Sequence, residues 1–552
     1  MSGDFIRKSD RIVAIGLDSA DFFLIERWIS EGKLPALARL IKAGSWTDLV
    51  STADMGSGSV WPTLFTGTSP AKHNSIGTRR IRSGSYQITQ PFLEVCVERE
   101  PFWNQLSRSG KRVALIDVPK TRPVDGLNGI QLVGWGAHSP GWYGDSWPPA
   151  LYKDVLERFG EFPVPDCDHF IPTTHSELKT FHGNLLAGIG KTESVSHEFL
   201  GREPWDFFLT VFSAPHCAGH NFWHLMDKNH PRYDEQEASS IGNTMIEVYS
   251  AIDSSIGRLA ESGEDVTLLI LSTEGMGPNY TGSFLMPEIL RRLGLSGHSS
   301  APGSNGDRSK GQRGLIDRME KMLPARSSGP HAVRNLKSRL PGGAVKLMDA
   351  VKRMVPRETW QQWKCKLMMI GNDWKESRAF CLPSDFNGAV RINLKGREPD
   401  GKVEPGSEFD ALCDELVYEL GRLKHSDTGA AAVAEVIRVD RVYDGPFLND
   451  LPDIVVKWKG DRPIRSLTSD RVGTVAGENY HERSGSHRPV GFLLAAGRHI
   501  VPGSVPTKGH IMDIAPTILY LSGEPVSRSL DGRVLLEIID ETFKENNPVR
   551  FE

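Results

Sequence analysis

Short apolar runs of strand length, each ending in a turn or an acidic residue, recur along the 552-residue chain. They are Arg11–Leu17, Arg112–Val118, Ile130–Val133, Asp206–Phe212, Val266–Leu271, Asp453–Val456 and Gly491–Ala495. Near-continuous apolar runs of this length read as parallel strands buried on both faces. Amphipathic helical stretches lie between them. In Phe22–Ala43, Phe23, Ile25, Trp28, Ile29, Leu34, Leu37, Leu40 and Ile41 recur near helical spacing around Pro35. The alternation predicts an α/β protein: a doubly wound, mostly parallel sheet with helices on both faces. Ligands gather outside the carboxyl ends of strands in such a sheet, so chemistry is expected just after each run.

Two stretches interrupt the alternation. Residues 78–175 are rich in Pro, Gly and Trp and read as a cap-like insertion. Residues 296–373 open with SGHSSAPGSNGDRSKGQRG, a loop composition, and read as a basic helical and flexible insertion. From Arg308 to Lys364, 14 Lys/Arg stand against four acids. Such a run is a solvated helical face or, more sharply, a surface for an anionic polymer, lipid headgroup or acidic partner. The expected core is then 1–295 with 374–545, followed by a tail at 546–552.

Composition narrows the field. A hydrophobic content of 39% argues against wholesale disorder, and a net charge of −4 makes no case for nucleic acid. Six cysteines with no CxxC pair read as reduced thiols, with neither a disulfide framework nor a thiolate zinc site. No apolar leader precedes the first strand, and no apolar run reaches the roughly 20 residues that span a bilayer. The cytoplasm is the expected location.

Candidate chemistry sits where the strand-end rule directs. Asp18 closes the first run in RIVAIGLDSAD, placed to bind a divalent cation, while Asp21 suits a helix N-cap better. Ser57 and Ser59 lie in a Gly-containing loop running into a helix, where a hydroxyl meets unsatisfied backbone N–H groups; an ordinary N-cap is the plainer reading. After Asp206–Phe212 comes FSAPHCAGHNFWHLMD, with His216, His220 and His224 every four residues. Imidazoles at i and i+4 share a helix face and can reach one metal ion. His224, beside Trp223, reads as packed or substrate-facing rather than as a ligand. Thr273 and Glu274 follow the next run, with Gly275 permitting close backbone approach. His487 and Arg488 precede the last run.

In this order the pieces resemble the alkaline-phosphatase superfamily, and within it the type I phosphodiesterase/nucleotide-pyrophosphatase-like branch. The resemblance is carried by IGLDSAD, WPTLFTGTSPAKHNSIG, HCAGHNFWHLMD, GMGPN, FNGAVRINLKGREPDGKVEPG, LPDIVV, SGSHRPVGFLLAAG and GHIMDIAPTILYLSGEPVSRSLDGR, and it covers nearly all of the chain outside the two insertions. It implies an alkaline-phosphatase-like fold in which two divalent ions clamp a phosphoryl group and a Ser or Thr attacks in line.

Carried over residue by residue, the resemblance implies Ser57 as nucleophile, with Ser59 as fallback, and Asp18, His220 and His487 as metal ligands. His216 stands where the pattern has Asp, and Thr273-Glu274 where it has Asp-His. One implied site is therefore His216, His220 and His487, a set suited to zinc with an open fourth position. The other keeps Asp18 and Glu274, with Thr273 and Ser57 as weaker oxygen donors, and suits Mg²⁺ or Mn²⁺. His224 and Arg488 are the candidate substrate-facing residues.

The function implied is metal-dependent hydrolysis or transfer at a phosphodiester or phosphomonoester, small-molecule or nucleotide-linked. The alternative is a catalytically altered member acting as a binding or scaffold protein through its basic insertion. Trp135, Trp142 and Trp147 could stack on sugar or base rings, or simply plug the cap. The run Ser57-Gly58-Ser59-Val60-Trp61 lacks the C/S-x-P-x-R context that sulfatases of this superfamily need. Neither the substrate nor the oligomeric state is legible.

Overall fold

The structure is a computed structural model that describes residues 11–77, 79–89, 97–136, 144–164, 171–261, 265–296, 374–384, 386–479 and 483–552. Its main sheet has eight strands, numbered here in chain order: β1 Arg11–Leu17, β2 Gly44–Val50, β3 Val113–Ile116, β4 Gly129–Val133, β5 Asp145–Trp147, β6 Phe207–Phe212, β7 Val266–Ser272 and β8 Val490–Gly497. They lie in the order β2-β8-β7-β1-β6-β3-β4-β5. The run β7-β1-β6-β3-β4 is parallel throughout. Both faces are buried, and the two-residue period of a strand divides each one between two cores. Val13, Ile15 and Leu17 enter one, with helices Phe22–Ser30, His175–Arg202 and Thr244–Ala260. Ile12 and Ala14 enter the other, with helices Val60–Thr66 and Ile514–Leu521. This is the doubly wound, mostly parallel architecture expected.

Four details depart from the expected pattern. Gly491–Ala495 lies in β8, which runs antiparallel to both β2 and β7. Asp453–Val456 overlaps a strand, Ile454–Trp458, that is antiparallel and belongs to a separate sheet. An apolar run signals burial but carries no direction, so neither difference was readable. Phe22–Ala43 is two helices, Phe22–Ser30 and Pro35–Ala43, because Gly32 at φ +71° turns the chain and Pro35 opens the second helix. Within 78–175, β3, β4 and β5 join the main sheet, so this stretch is more than a cap.

Trp135 is buried and donates Nε1 to Gly160 O, and Trp147 donates to Leu127 O, so both are packed plugs. Trp142 and the insertion residues 297–373 lie outside the described residues.

Residues 374–476 build a second layer. Its four-stranded antiparallel sheet, Ala379–Leu382, Gly388–Ile392, Ile454–Trp458 and Val433–Arg438 in spatial order, packs with helix Ser407–Gly421 around its own core. Arg391 and Arg397 are buried there against Glu398 and Asp453, the latter pair bidentate at 2.7 Å on both oxygens. Among the described residues no helix is long and apolar enough to cross a membrane.

Candidate metal centre

Helix Ala214–Met226 starts two residues after β6 and therefore stands at the carboxyl edge of the sheet. His216 and His220, four positions apart, share one of its faces, with ring centroids 4.5 Å apart. His487 arrives from a different direction. Strand Gly485–Arg488 pairs antiparallel with Gly275–Pro278, the segment after β7, in a register that opposes Met276 to His487. Its ring centroid is 5.1 Å from that of His216 and 4.7 Å from that of His220. One ligand atom from each of the three lies within 4.8 Å of the others.

Glycine makes this approach possible. A Cβ on Gly485 would sit 2.1 Å from Gly219 O, so any side chain there would push the hairpin off the helix. The contact is stapled by Ser484 N donating to His220 O at 2.8 Å.

Hydrogen bonds assign the tautomer of His220. The Arg483 guanidinium lies 3.2 Å from Nε2 and can only donate, so Nε2 is the unprotonated nitrogen. Nδ1 then carries the proton and donates it to Gly485 O at 2.9 Å. The far side of the ring is thus tied to a carbonyl, as in a ligating imidazole, and a metal ion on Nε2 would displace the Arg483 hydrogen bond. Burial, with Arg79 nearby, holds the Arg483 guanidinium down to about 10. His487 is oriented by a carboxylate: its Nδ1 is 3.1 Å from Glu274 Oε1 and 3.3 Å from Ser19 Oγ. Three imidazoles with a carboxylate behind one of them fit a divalent ion such as zinc.

The remaining expected residues are distributed around this cluster. Asp18 is buried at the end of β1 and accepts Trp61 Nε1–H on Oδ1 at 2.8 Å. Thr273 is buried; its carbonyl accepts the Ser51 hydroxyl, and its own Oγ1 has no hydrogen-bond partner among the described residues. Ser57 is half-buried at the head of a 3₁₀ turn, Ser57–Ser59, leading into helix Val60–Thr66. Ser59 is fully buried, and its hydroxyl reaches Thr52 O and Gly56 O at 2.9 and 2.8 Å.

A small cleft of about 60 Å³ is lined by residues that include Ser57, Gly58, Arg79, Arg80, Ile81 and Phe386. The Phe386 ring also packs on His487 at 5.8 Å, so cleft and imidazoles share a wall.

His224 and Arg488 lie to the side. His224 is buried near His230 and Glu237, and burial pushes its imidazole down to about 3. Arg488 reaches Asp21 at 3.7 Å and covers the Trp223 ring. Asp21 caps helix Phe22–Ser30 through Leu24 N, as its sequence position suggested.

Sequence reading passed over Ser19, Phe386 and Arg483. Ser19 follows β1 and was within reach of the strand-end rule; Arg483 lies in ERSGSH, the motif that supplied His487. The cysteines need a correction. Cys217, beside His216, is disulfide-bonded, whereas Cys381 and Cys413 are free. Scattered spacing does not reveal which thiols meet in space.

A mostly parallel α/β sheet with a metal-ligand cluster at its carboxyl edge is the architecture of alkaline-phosphatase-type proteins. Residues 12–367 match the type I phosphodiesterase/nucleotide pyrophosphatase family, and the chain belongs to that family of phosphoester hydrolases, within the alkaline phosphatase superfamily. No curated protein matches the chain.

Among solved structures, it is similar to phosphonoacetate hydrolase from Sinorhizobium meliloti 1021, at 12% identity and TM-score 0.47, over 93% of this chain and 95% of the other. It is also similar to human ectonucleotide pyrophosphatase/phosphodiesterase 5, at 11% identity and TM-score 0.43, over 96% and 100%. The alkaline phosphatase PafA gives 13% identity and TM-score 0.47, over 96% and 99%.

Proposed function

We propose that this chain is a metal-dependent phosphoric-ester hydrolase with Ser57 as nucleophile, acting on a small-molecule phosphate ester or a nucleotide-linked substrate. The observation that carries this reading is the convergence of His216, His220 and His487, with Phe386 packed on His487 and also lining the cleft that Ser57 lines. The choice of Ser57 over Ser59 rests on what each hydroxyl does: Ser59 is held by two backbone carbonyls in the interior, and Ser57 faces the cleft.

Zinc on the three imidazoles would supply Lewis-acid charge to a phosphoryl oxygen and ease ionisation of a nearby hydroxyl. The protein does the rest. Arg79 and Arg80 offer positive charge to the substrate's phosphate, and Phe386 and Ile81 offer apolar surface to the group it carries. Ser57 Oγ bonds to phosphorus as the alcohol leaves with a proton, and water then releases the phosphate from Ser57 in a second displacement.

The test is hydrolysis of bis(p-nitrophenyl) phosphate by protein loaded with Zn²⁺ or Mn²⁺. Ser57→Ala should lower turnover by about 10³-fold or more with the circular-dichroism spectrum unchanged. Wild-type protein that turns over neither this diester nor p-nitrophenyl phosphate with any of Zn²⁺, Mn²⁺ or Mg²⁺ sinks the reading.

A further inference from the structure

Beneath the turn that carries Ser57 lies a string of buried polar side chains that the chemistry of Ser57 does not itself use. Thr52, Ser59, Thr63 and His73 are each 0% exposed. The fold stacks them from four short elements: the 3₁₀ turn Thr52–Met55, the turn Ser57–Ser59, helix Val60–Thr66 and the short helix Pro70–His73. Buried hydroxyls and imidazoles are costly unless each finds a partner, and here each does.

The string has a direction, and His73 sets it. Ser75 N–H can only donate, and it meets His73 Nδ1 at 3.1 Å, so Nδ1 is the bare nitrogen. The neutral ring then carries its proton on Nε2, which donates to Thr63 Oγ1 at 2.9 Å. Burial, which pushes this imidazole down to about 3, agrees with a neutral ring. The Thr63 hydroxyl, having accepted, donates to Thr52 Oγ1 at 3.0 Å, and Thr52 in turn donates to Ser59 Oγ at 2.9 Å. Ser59 ends the string on the Thr52 and Gly56 carbonyls, at 2.9 and 2.8 Å. Gly56 O belongs to the peptide group that links to Ser57 N. On the other side of Ser57, Ser75 Oγ donates to Gly58 O at 2.9 Å. The residue that assigns the tautomer of His73 therefore also grips the far end of the turn.

Close packing seats the turn on the backbone that follows His73. Gly56 is held at φ +133°, and a Cβ there would sit 2.3 Å from Ile76 O; one on Gly58 would sit 2.9 Å from Gly77 Cα. We propose that His73, Thr63, Thr52 and Ser59 are positioning residues for Ser57: their directed hydrogen bonds hold the Gly56 carbonyl, and with it the backbone from which the Ser57 hydroxyl projects. This rests on Ser57 as nucleophile and deepens that reading. Valine at position 52 or 63 would fill nearly the same space, so what the hydroxyls add is orientation rather than volume.

Thr63→Val severs the string and leaves Ser57, the cleft and the imidazoles in place. With bis(p-nitrophenyl) phosphate and protein loaded with Zn²⁺ or Mn²⁺, its kcat should fall about 10- to 100-fold with KM within about twofold, because displacing a reacting group by about 1 Å costs up to roughly 10²-fold in rate. Thr63→Ser, which restores the hydroxyl, should return kcat to within about threefold of wild type. Thr52→Val breaks the string one hydroxyl nearer the turn and is read in the same way. A second measurement needs neither metal nor turnover. Nitrogen-15 NMR of histidine-labelled wild type should show His73, assigned by its loss in His73→Gln, as the Nε2–H tautomer at pH 7. A folded Thr63→Val with wild-type kcat would overturn the inference and leave Ser57 standing as nucleophile, as would an Nδ1–H or cationic His73. A wild type that turns over no phosphate ester removes the nucleophile reading, and the inference with it. Should Thr63→Val fail to fold, Thr52→Val and the tautomer still decide.

Discussion

Glu274 lies behind His487, and what its carboxylate contributes there can be separated from what the imidazoles contribute. A carboxylate facing Nδ1 fixes the ring's orientation and tautomer and raises the basicity of its other nitrogen. Glu274→Gln keeps the side chain's size and an acceptor for the Ser19 hydroxyl but removes the charge. Zinc affinity, measured by competition with a chromogenic chelator, should fall about 10- to 100-fold, the range typical of outer partners of metal-ligating histidines. Unchanged affinity would mean that Glu274 does not orient the ring. At this scale the sequence was legible in part. His216 and His220 were readable because four-residue spacing puts two side chains on one helical face. Arg483 was not, because nothing in ERSGSH says that its guanidinium reaches His220 Nε2 across 263 residues.

The elements that carry the cluster depend on a close contact of backbones. Helix Ala214–Met226 and the strand Gly485–Arg488 touch at Gly219 and Gly485, leaving no room for a Cβ on Gly485. Gly485→Ala removes no ligand atom, yet it should push His487 away from His220 and break the His220 Nδ1 to Gly485 O bond. Zinc affinity should drop by at least about tenfold, since ligand geometry tolerates only tenths of an ångström. The same chelator competition reads the result, and native-like affinity would show that the hairpin can slide. Strand positions were the most legible elements: β1 was read from the sequence with the bounds it has in the structure, and β6 to within one residue. Directions were not legible. The antiparallel course of β8 shows only in its pairing, and it explains why His487 precedes its apolar run whereas Asp18 follows one.

Over the whole molecule, buried neutral histidines tie stability to pH. His73 accepts Ser75 N–H on Nδ1 at 3.1 Å, faces Thr63 Oγ1 with Nε2 at 2.9 Å, and is pushed by burial from 6.5 down to about 3. His510, whose Nδ1 accepts Met512 N–H, is pushed down to about 4 for the same reason. Both are neutral in the native state and take up protons on unfolding below about pH 6.5, so the unfolded state binds more protons and acid favours it. Their contribution is complete above about 6.5 and is lost as the pH falls toward 4 and then 3. The urea midpoint should therefore drop between pH 7 and pH 5, and His73→Gln should flatten that slope; a midpoint constant over the interval would contradict the assignment. The superfamily architecture was legible as an ordered series of motifs. The second layer at 374–476 was not, because its strands are as apolar as those of the main sheet.

The long interval between His220 and the segment it bonds, 265 residues to Gly485, has a consequence for biosynthesis. A ribosome delivers the first two ring nitrogens when less than half of the polypeptide exists, and the third only near the end of translation. A nascent chain halted before Gly485 therefore carries a two-pronged chelator, which releases metal readily. An ion on the three imidazoles would be held firmly only once the late strand has slotted between β2 and β7.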